Sequence, residues 1–149
     1  MDYDALRAGL NQAIPFNKFI GLEVIELDDG RGVVRLPESS DLLNHVGSQH
    51  ASGLFAAAEA ASGAAFAAAF AERLGEITPL AKGARIDFVK IAKGPIDATG
   101  TLGQSKDDLM AKLDADGKVE FPVEVSLADS EGTEVAIVTV DWHLRKKSA

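Results

Sequence analysis

The sequence predicts an α+β domain in which an antiparallel sheet packs against one dominant helix. Three observations carry that prediction. Residues 51–74 form a single long run built mainly of alanine. Six shorter segments alternate, or run apolar, in the manner of strands and are separated by turns rich in Gly, Pro and Asp. No internal repeat or low-complexity linker divides the chain, so its 149 residues read as one domain, 1–149. Six strands and one long helix suit a sheet with one face buried on that helix.

Each element has its own signal. Residues 2–13 bring Leu6 and Leu10 to one side of an amphipathic helix, with Ile14 continuing the spacing. Pro15 interrupts it, and Phe16 to Ile20 make a turn or one helical turn before Gly21, which gives an N-terminal helical segment over 1–20. Leu22 to Leu27 and Val33 to Leu36 read as two strands joined across Asp28-Asp29-Gly30. The central helix covers 51–74, with Gly75 as its C-cap. Its alanines let a sheet approach closely, while Phe55, Phe66 and Phe70 supply bulk. Ala84 to Ile91 and Ile96 to Leu102 follow as strands. Ser105 caps a short helix that carries Asp107 and Asp108 at its positive end and closes at Gly117. Val119 to Leu127 and Glu134 to Leu144 are joined by Asp129-Ser130-Glu131-Gly132, a hairpin signal. The basic residues 145–149 read as a solvated tail.

Composition removes several function classes. A net charge of −8 argues against nucleic-acid binding, although a local cationic cluster could still hold an anionic ligand. The absence of cysteine excludes disulfides, thiolate zinc sites and a cysteine nucleophile. No metal-ligand spacing, glycine-rich phosphate loop or Ser-His-Asp arrangement is present, so no metal is expected. The first ten residues lack the features of a secretory leader, and the chain reads as cytoplasmic. Ala51 to Ala71 is long enough to span a bilayer, but Glu59 near its middle would cost roughly 2–3 kcal/mol or more there. A buried core helix is the expectation.

Glu59 is the only charged residue between Asp41 and Glu72. A carboxylate inside an apolar helix must be solvated, paired or functional, because burying it unpaired costs several kcal/mol. Phe55, Ser62 and Gly63 lie one turn away and are expected on its face. His45 and His50 sit just before the helix, whose first N–H groups and positive dipole end suit a developing oxyanion. His143, beside Trp142 on the last strand, reads as structural.

The pattern Asn44-x-x-Gly47-x-x-His50-x-x-x-Leu54-Phe55-x-x-x-Glu59 resembles the signature of hotdog-fold acyl-CoA thioesterases, particularly the phenylacetyl-CoA thioesterase type. The order of strands and helices is similar over roughly residues 20–145, and the helical insertion at residues 105–112 resembles an uncharacterised branch of that superfamily. The resemblance implies a hotdog fold, an antiparallel six-stranded sheet wrapped around the central helix. It implies hydrolysis of an acyl-CoA thioester with Glu59 as nucleophile or general base. Asn44 would hold the attacking water or the acyl group, His50 would orient the thioester, and the Ala51 N–H would polarise its carbonyl. Gly47 and Ser52 of the signature, with Phe55 and Ser62 beside Glu59, become candidate substrate contacts. Lys82, Arg85, Lys90 and Lys93 are the candidates for holding the phosphates of coenzyme A, which enters as part of the substrate and not as a cofactor. The chain departs from the family in having Ala51-Ser52 where two glycines are usual, and no hydroxyl at residues 80–82.

A single sheet around one helix leaves edges open, so a homodimer, or a dimer of dimers, with the site at the interface is expected. Two alternatives stand beside hydrolysis. His45 and Glu59 have the spacing of a hotdog β-hydroxyacyl thioester dehydratase, without the proline such enzymes carry after the His. A non-catalytic acyl-CoA or lipid-binding hotdog protein is the other. Glu59 paired with Arg85 across the dimer would be a purely structural arrangement.

Overall fold

A computed structural model describes residues 1–148. The chain runs α1 (Tyr3–Ala13), α2 (Pro15–Ile20), β1 (Glu23–Asp28), β2 (Arg31–Leu36), a short 3-10 turn (Ser40–Leu42), α3 (Ala51–Ala69), a second 3-10 turn (Ala71–Glu76), β3 (Ile77–Phe88), β4 (Ile96–Thr101), α4 (Lys106–Asp116), β5 (Lys118–Ala128) and β6 (Glu134–Lys146). The six strands form one antiparallel sheet in the order β1-β2-β4-β5-β6-β3. From β2 the chain therefore crosses by way of α3 to the far edge, then returns to the middle. The α+β architecture expected from the sequence is the one observed.

One-sidedness of the sheet is plainest in β5. Val119, Phe121, Val123, Val125 and Leu127 are buried while the residues between them face solvent, the period-two pattern of a half-covered sheet. The helix rests on the sheet at unusually short range. Gly32 and Gly100 face each other across β2 and β4. A Cβ on Gly32 would lie 2.7 Å from the Ala64 Cβ, and one on Gly100 would lie 2.5 Å from the Ala61 carbonyl oxygen. Small residues on both surfaces thus set the helix height. At the other end of α3 an aromatic cluster fills the space: Phe66 meets Trp142 edge-on at 4.6 Å, and Phe70 stacks on Phe121 at 6.0 Å.

Strand β2 begins at Arg31 rather than Val33 and β3 ends at Phe88 rather than Ile91, and three larger differences from expectation have a clear cause. Helix α3 stops at Ala69 rather than continuing over 51–74, and Gly75 is not its cap. Phe70 is completely buried and leaves helical geometry at φ −100°, ψ 18°. Anchoring that ring on Phe121 bends the chain into the tighter 3-10 turn, where Arg73 pairs with Glu76 and Asp114; local helix propensity is overridden. Strand β3 begins at Ile77, well before the expected Ala84, because Pro79 and Gly83 mask the strand pattern. Pro79 is tolerated since β3 is an edge strand, and a bulge absorbs Lys82 between Ala81 and Gly83. The expected basic tail is also shorter. Arg145 and Lys146 belong to β6, where Lys146 is opposite Ile77 and pairs with Asp114. Ala149 lies outside the described residues.

The two sheet edges are unlike. Along β1, the Asn11 side chain of α1 donates to the Val24 carbonyl and accepts from its N–H at 2.7 Å, and Arg7 donates to the Ile25 carbonyl. Helix α1 thus closes that edge at the β1 bulge. Strand β3 pairs with β6 on one side only and is exposed along most of its length, Leu80 and Phe88 included.

Candidate functional site

The site is built at the mouth of α3. Both ends of the Asn44 amide are engaged in shaping the preceding loop. Its oxygen accepts from the N–H groups of Val46 and Ser48, each at 3.1 Å, and its nitrogen donates to Ser48 Oγ at 2.9 Å. Gly47 takes a left-handed conformation at φ 76°, which a residue with a Cβ adopts at a cost. The buried Gln49 amide donates to the carbonyls of Pro37 and Gly94, fastening the loop to its neighbours.

His50 is the N-cap of α3. Its Nδ1 accepts from the Ser52 N–H at 2.9 Å, and its carbonyl accepts from the N–H groups of Gly53 and Leu54. Accepting at Nδ1 fixes the neutral tautomer with the proton on Nε2. Among the described residues, no acceptor reaches the N–H of Ala51, the first helical residue. An exposed, unpaired N–H at the positive end of a five-turn helix can polarise a carbonyl or hold an oxyanion.

Two turns further along, Glu59 is half-buried. Among the described residues its carboxylate has no hydrogen bond or ion pair, and burial raises its pKa above the ordinary carboxylate value. It stands at a junction. On one side an open pocket of about 570 Å³ is lined by Phe16, Ala51, Ser52, Phe55, Ala56 and Glu59. On the other, a mainly apolar cavity of about 400 Å³ runs beside α3 past Ala60, Gly63 and Ala64 to Ala67. A weakly solvated carboxylate that borders both an open pocket and an apolar one can serve as an acid, a base or a nucleophile.

Over residues 3–144 the chain matches the family described as a domain of unknown function, DUF4442. It belongs to that family. Among solved structures, it is similar to a Pseudomonas aeruginosa protein of unknown function, PA5026, described as a probable thioesterase. The two are 28% identical with a TM-score of 0.85, over 99% of this chain and 97% of that one. AziG of S. sahachiroi is 21% identical with a TM-score of 0.74, over 91% of this chain and 100% of that one. The E. coli PaaI protein from the phenylacetic acid degradation operon is 20% identical with a TM-score of 0.71, over 97% and 94%. No curated protein matches the chain. The fold is the hotdog fold, and the resemblance read from Asn44 to Glu59 is borne out at the level of fold and superfamily.

Several residues singled out in the sequence meet in space. Ala51, Ser52, Phe55 and Glu59 line the open pocket together. Asn44 and Lys90 line a separate pocket of about 380 Å³ on the other side of the helix mouth, which Ala51 also borders. Gly47 lines none of these pockets and shapes the turn. Ser62 does not share the Glu59 face as expected: it is completely buried, and its hydroxyl bridges the Glu59 carbonyl and Trp142. The four cations do not form one cluster. Lys82 pairs with Glu120 and Arg85 with Asp87, while Lys93 lies near Asp129 and Glu131. Arg85 is thus paired within its own strand. His45 is exposed in the loop, and His143 contacts Glu120 on the outer face of the sheet. No described helix is long and apolar enough to cross a membrane. Sequence reasoning missed Phe16 and Trp142, which reach the pockets from distant parts of the chain; the interior glycine of α3, Gly63, was the one visible hint of a cavity beside the helix.

Proposed function

We propose that this protein is a hotdog thioesterase that hydrolyses an acyl-CoA thioester, with Glu59 as general base on water or as nucleophile. The observation that carries the proposal is the unpartnered, half-buried Glu59 carboxylate at the neck between an open pocket and an apolar cavity. The open pocket would receive the thioester head and the apolar cavity the acyl tail. No cofactor is needed, since coenzyme A arrives with the substrate.

Helix geometry adds a constraint. Ala51 and Glu59 are eight residues apart on one helix, about 12 Å along its axis. An oxyanion donor must lie about 3 Å from the carbonyl oxygen, and a general base within reach of the attacking water. That rise leaves the Ala51 N–H and the Glu59 carboxylate of one protomer poorly spaced to act on the same thioester. A second copy solves this: Ala51, positioned by Asn44 and His50, would come from one protomer and Glu59 from the other. The open β3 edge, set against the closed β1 edge, supports pairing of two sheets through β3. Lys90, which borders the Ala51 pocket, is the best-placed of the four cations for a coenzyme A phosphate, with Lys93 on the same loop.

The test is release of free thiol from a panel of acyl-CoAs by wild-type protein and by Glu59→Gln, with mass measured by light scattering. Turnover that Glu59→Gln abolishes, in a particle of at least twice the 15.6 kDa chain mass, is the expected result. No thiol release from any acyl-CoA would favour a non-catalytic acyl-binding role instead.

A further inference from the structure

The apolar cavity beside α3 has a length as well as a volume. It begins at Glu59 and follows Ala60, Gly63 and Ala64 to Ala67, eight residues that rise about 12 Å along the helix axis. Leu74, from the 3-10 turn after α3, and Phe66 line it too. Trp142 forms part of its wall where the helix has Gly63; a Cβ there would sit 3.6 Å from the indole ring. The lining is therefore elongated along the helix, and Pro79, Leu80 and Ala81 of the β3 edge form the facing side.

We infer that the cavity binds a straight, medium-length aliphatic acyl chain of roughly eight to ten carbons in preference to an arylacetyl group. The inference rests on the proposed thioesterase reading and names its substrate class. A phenylacetyl group entering at Glu59 would fill only about half of the channel. The deeper alanines and Leu74 would then face a void and lose their dispersion contacts. An extended alkyl chain fills the channel to its end, gaining about fourfold in affinity for each methylene it buries. Among its lining side chains only Asn17 and Glu59 are polar, so beyond the mouth little is offered to a polar substituent.

The channel acts as a ruler, and its graduations are positions on the helix. Gly63 and Ala67 are four residues apart, about 6 Å along the axis. Gly63→Leu should block the channel about halfway along, and Ala67→Leu should block it at its far end. Leucine is a better helix former than glycine and a good one in place of alanine. Thermal melting checks that each variant is folded.

Trp142 is the only tryptophan of the chain, so its fluorescence reports filling of the channel without any need for turnover. The probes are n-alkanols from butanol to dodecanol, with 2-phenylethanol for comparison; being neutral, they avoid repulsion by Glu59. In the wild type, affinity should climb about fourfold per methylene to octanol or decanol and then level off, with 2-phenylethanol no better than hexanol. Ala67→Leu should move the plateau to shorter alcohols, and Gly63→Leu should move it further. The same order should appear in kcat/KM for acyl-CoAs of matching length. A wild type that binds 2-phenylethanol more tightly than decanol overturns the inference, as does an unchanged length profile in two folded variants. The fluorescence profile without hydrolysis of any acyl-CoA would support the channel and overturn the thioesterase reading.

Discussion

The Trp142 indole N–H donates to Ser62 Oγ at 2.9 Å, and Ser62 donates in turn to the Glu59 carbonyl at 2.7 Å. This buried relay ties the last strand to the turn of α3 that carries Glu59. It also holds the Trp142 ring against Phe66 and Gly63, where it walls the apolar channel. Ser62→Ala leaves a buried indole N–H without a partner, which costs about 1–3 kcal/mol. Trp142→Phe removes the donor as well as its partner's need for it. In a double-mutant cycle read by urea unfolding, the pair of substitutions should cost less than the sum of the two single ones. Additive costs would show that the relay contributes nothing of its own.

Glu59 carries opposite consequences for stability and for activity. Burial raises its folded-state pKa, so between the unfolded and folded values the native state binds more protons than the unfolded state. Stability must then fall as pH rises from the ordinary carboxylate value near 4.3 through the higher folded one. Glu59→Gln removes that penalty. It should unfold at higher denaturant concentration than the wild type at pH 7, with the difference vanishing below about pH 4. Turnover should move the other way and fall by at least about 100-fold, the scale of a lost acid–base group. The acid limb of the wild-type kcat/KM profile should lie above the usual carboxylate range. A Glu59→Gln protein that is less stable at pH 7 would mean that the carboxylate is satisfied in solution.

What the sequence revealed, and what it hid, follows from the reach of each signal. Glu59 was legible because a single charge in an alanine helix conflicts with its surroundings, and the capped ends of α4 at Ser105 and Gly117 were legible because caps are local chemistry. The alternation in β5 was equally plain. The end of α3 was hidden because it depends on Phe70 reaching Phe121, fifty-one residues away. The start of β3 was hidden because Pro79 and Gly83 weaken a strand whose place at the sheet edge tolerates them. Phe16 and Trp142 join the Glu59 pockets only through tertiary packing. Ser62 misled for a simpler reason. At three residues from Glu59 it falls on the neighbouring flank of the helix, against the sheet, whereas Gly63 at four residues shares the channel.

The close seat of α3 on the sheet gives a packing test. Gly100→Ala would drive a Cβ to 2.5 Å from the Ala61 carbonyl oxygen, a clash with backbone that no rotamer relieves. It should destabilise by about 1–3 kcal/mol or more, measured by thermal or urea unfolding. Gly103→Ala is the control, since nothing lies within 4 Å of its Cβ position; it should be neutral or slightly stabilising. Equal effects at the two glycines would mean that the helix shifts freely over β4.

The last prediction separates the Ala51 backbone from its side chain. Ala51 is the first helical residue after the His50 cap, and its N–H alone in that turn lacks an acceptor among the described residues. Proline is well accommodated at this position, because its fixed φ suits a first helical residue and no intrahelical bond is lost. Ala51→Pro should therefore melt within a few degrees of the wild type while losing the donor. If that N–H polarises the thioester carbonyl, kcat should fall by about 100-fold or more, the scale of a lost oxyanion donor. Ala51→Gly keeps the donor and clears the space over it, so turnover should be retained or raised. Ala51→Val keeps the donor but crowds the approach of the carbonyl, and should reduce turnover with little effect on folding. The three variants thus rank by room and by the presence of one N–H, with charge unchanged throughout. A folded Ala51→Pro dimer that hydrolyses acyl-CoA at the wild-type rate would remove Ala51 from the oxyanion site and leave Asn44, which shares a pocket with Ala51, or His50 as the candidate donor.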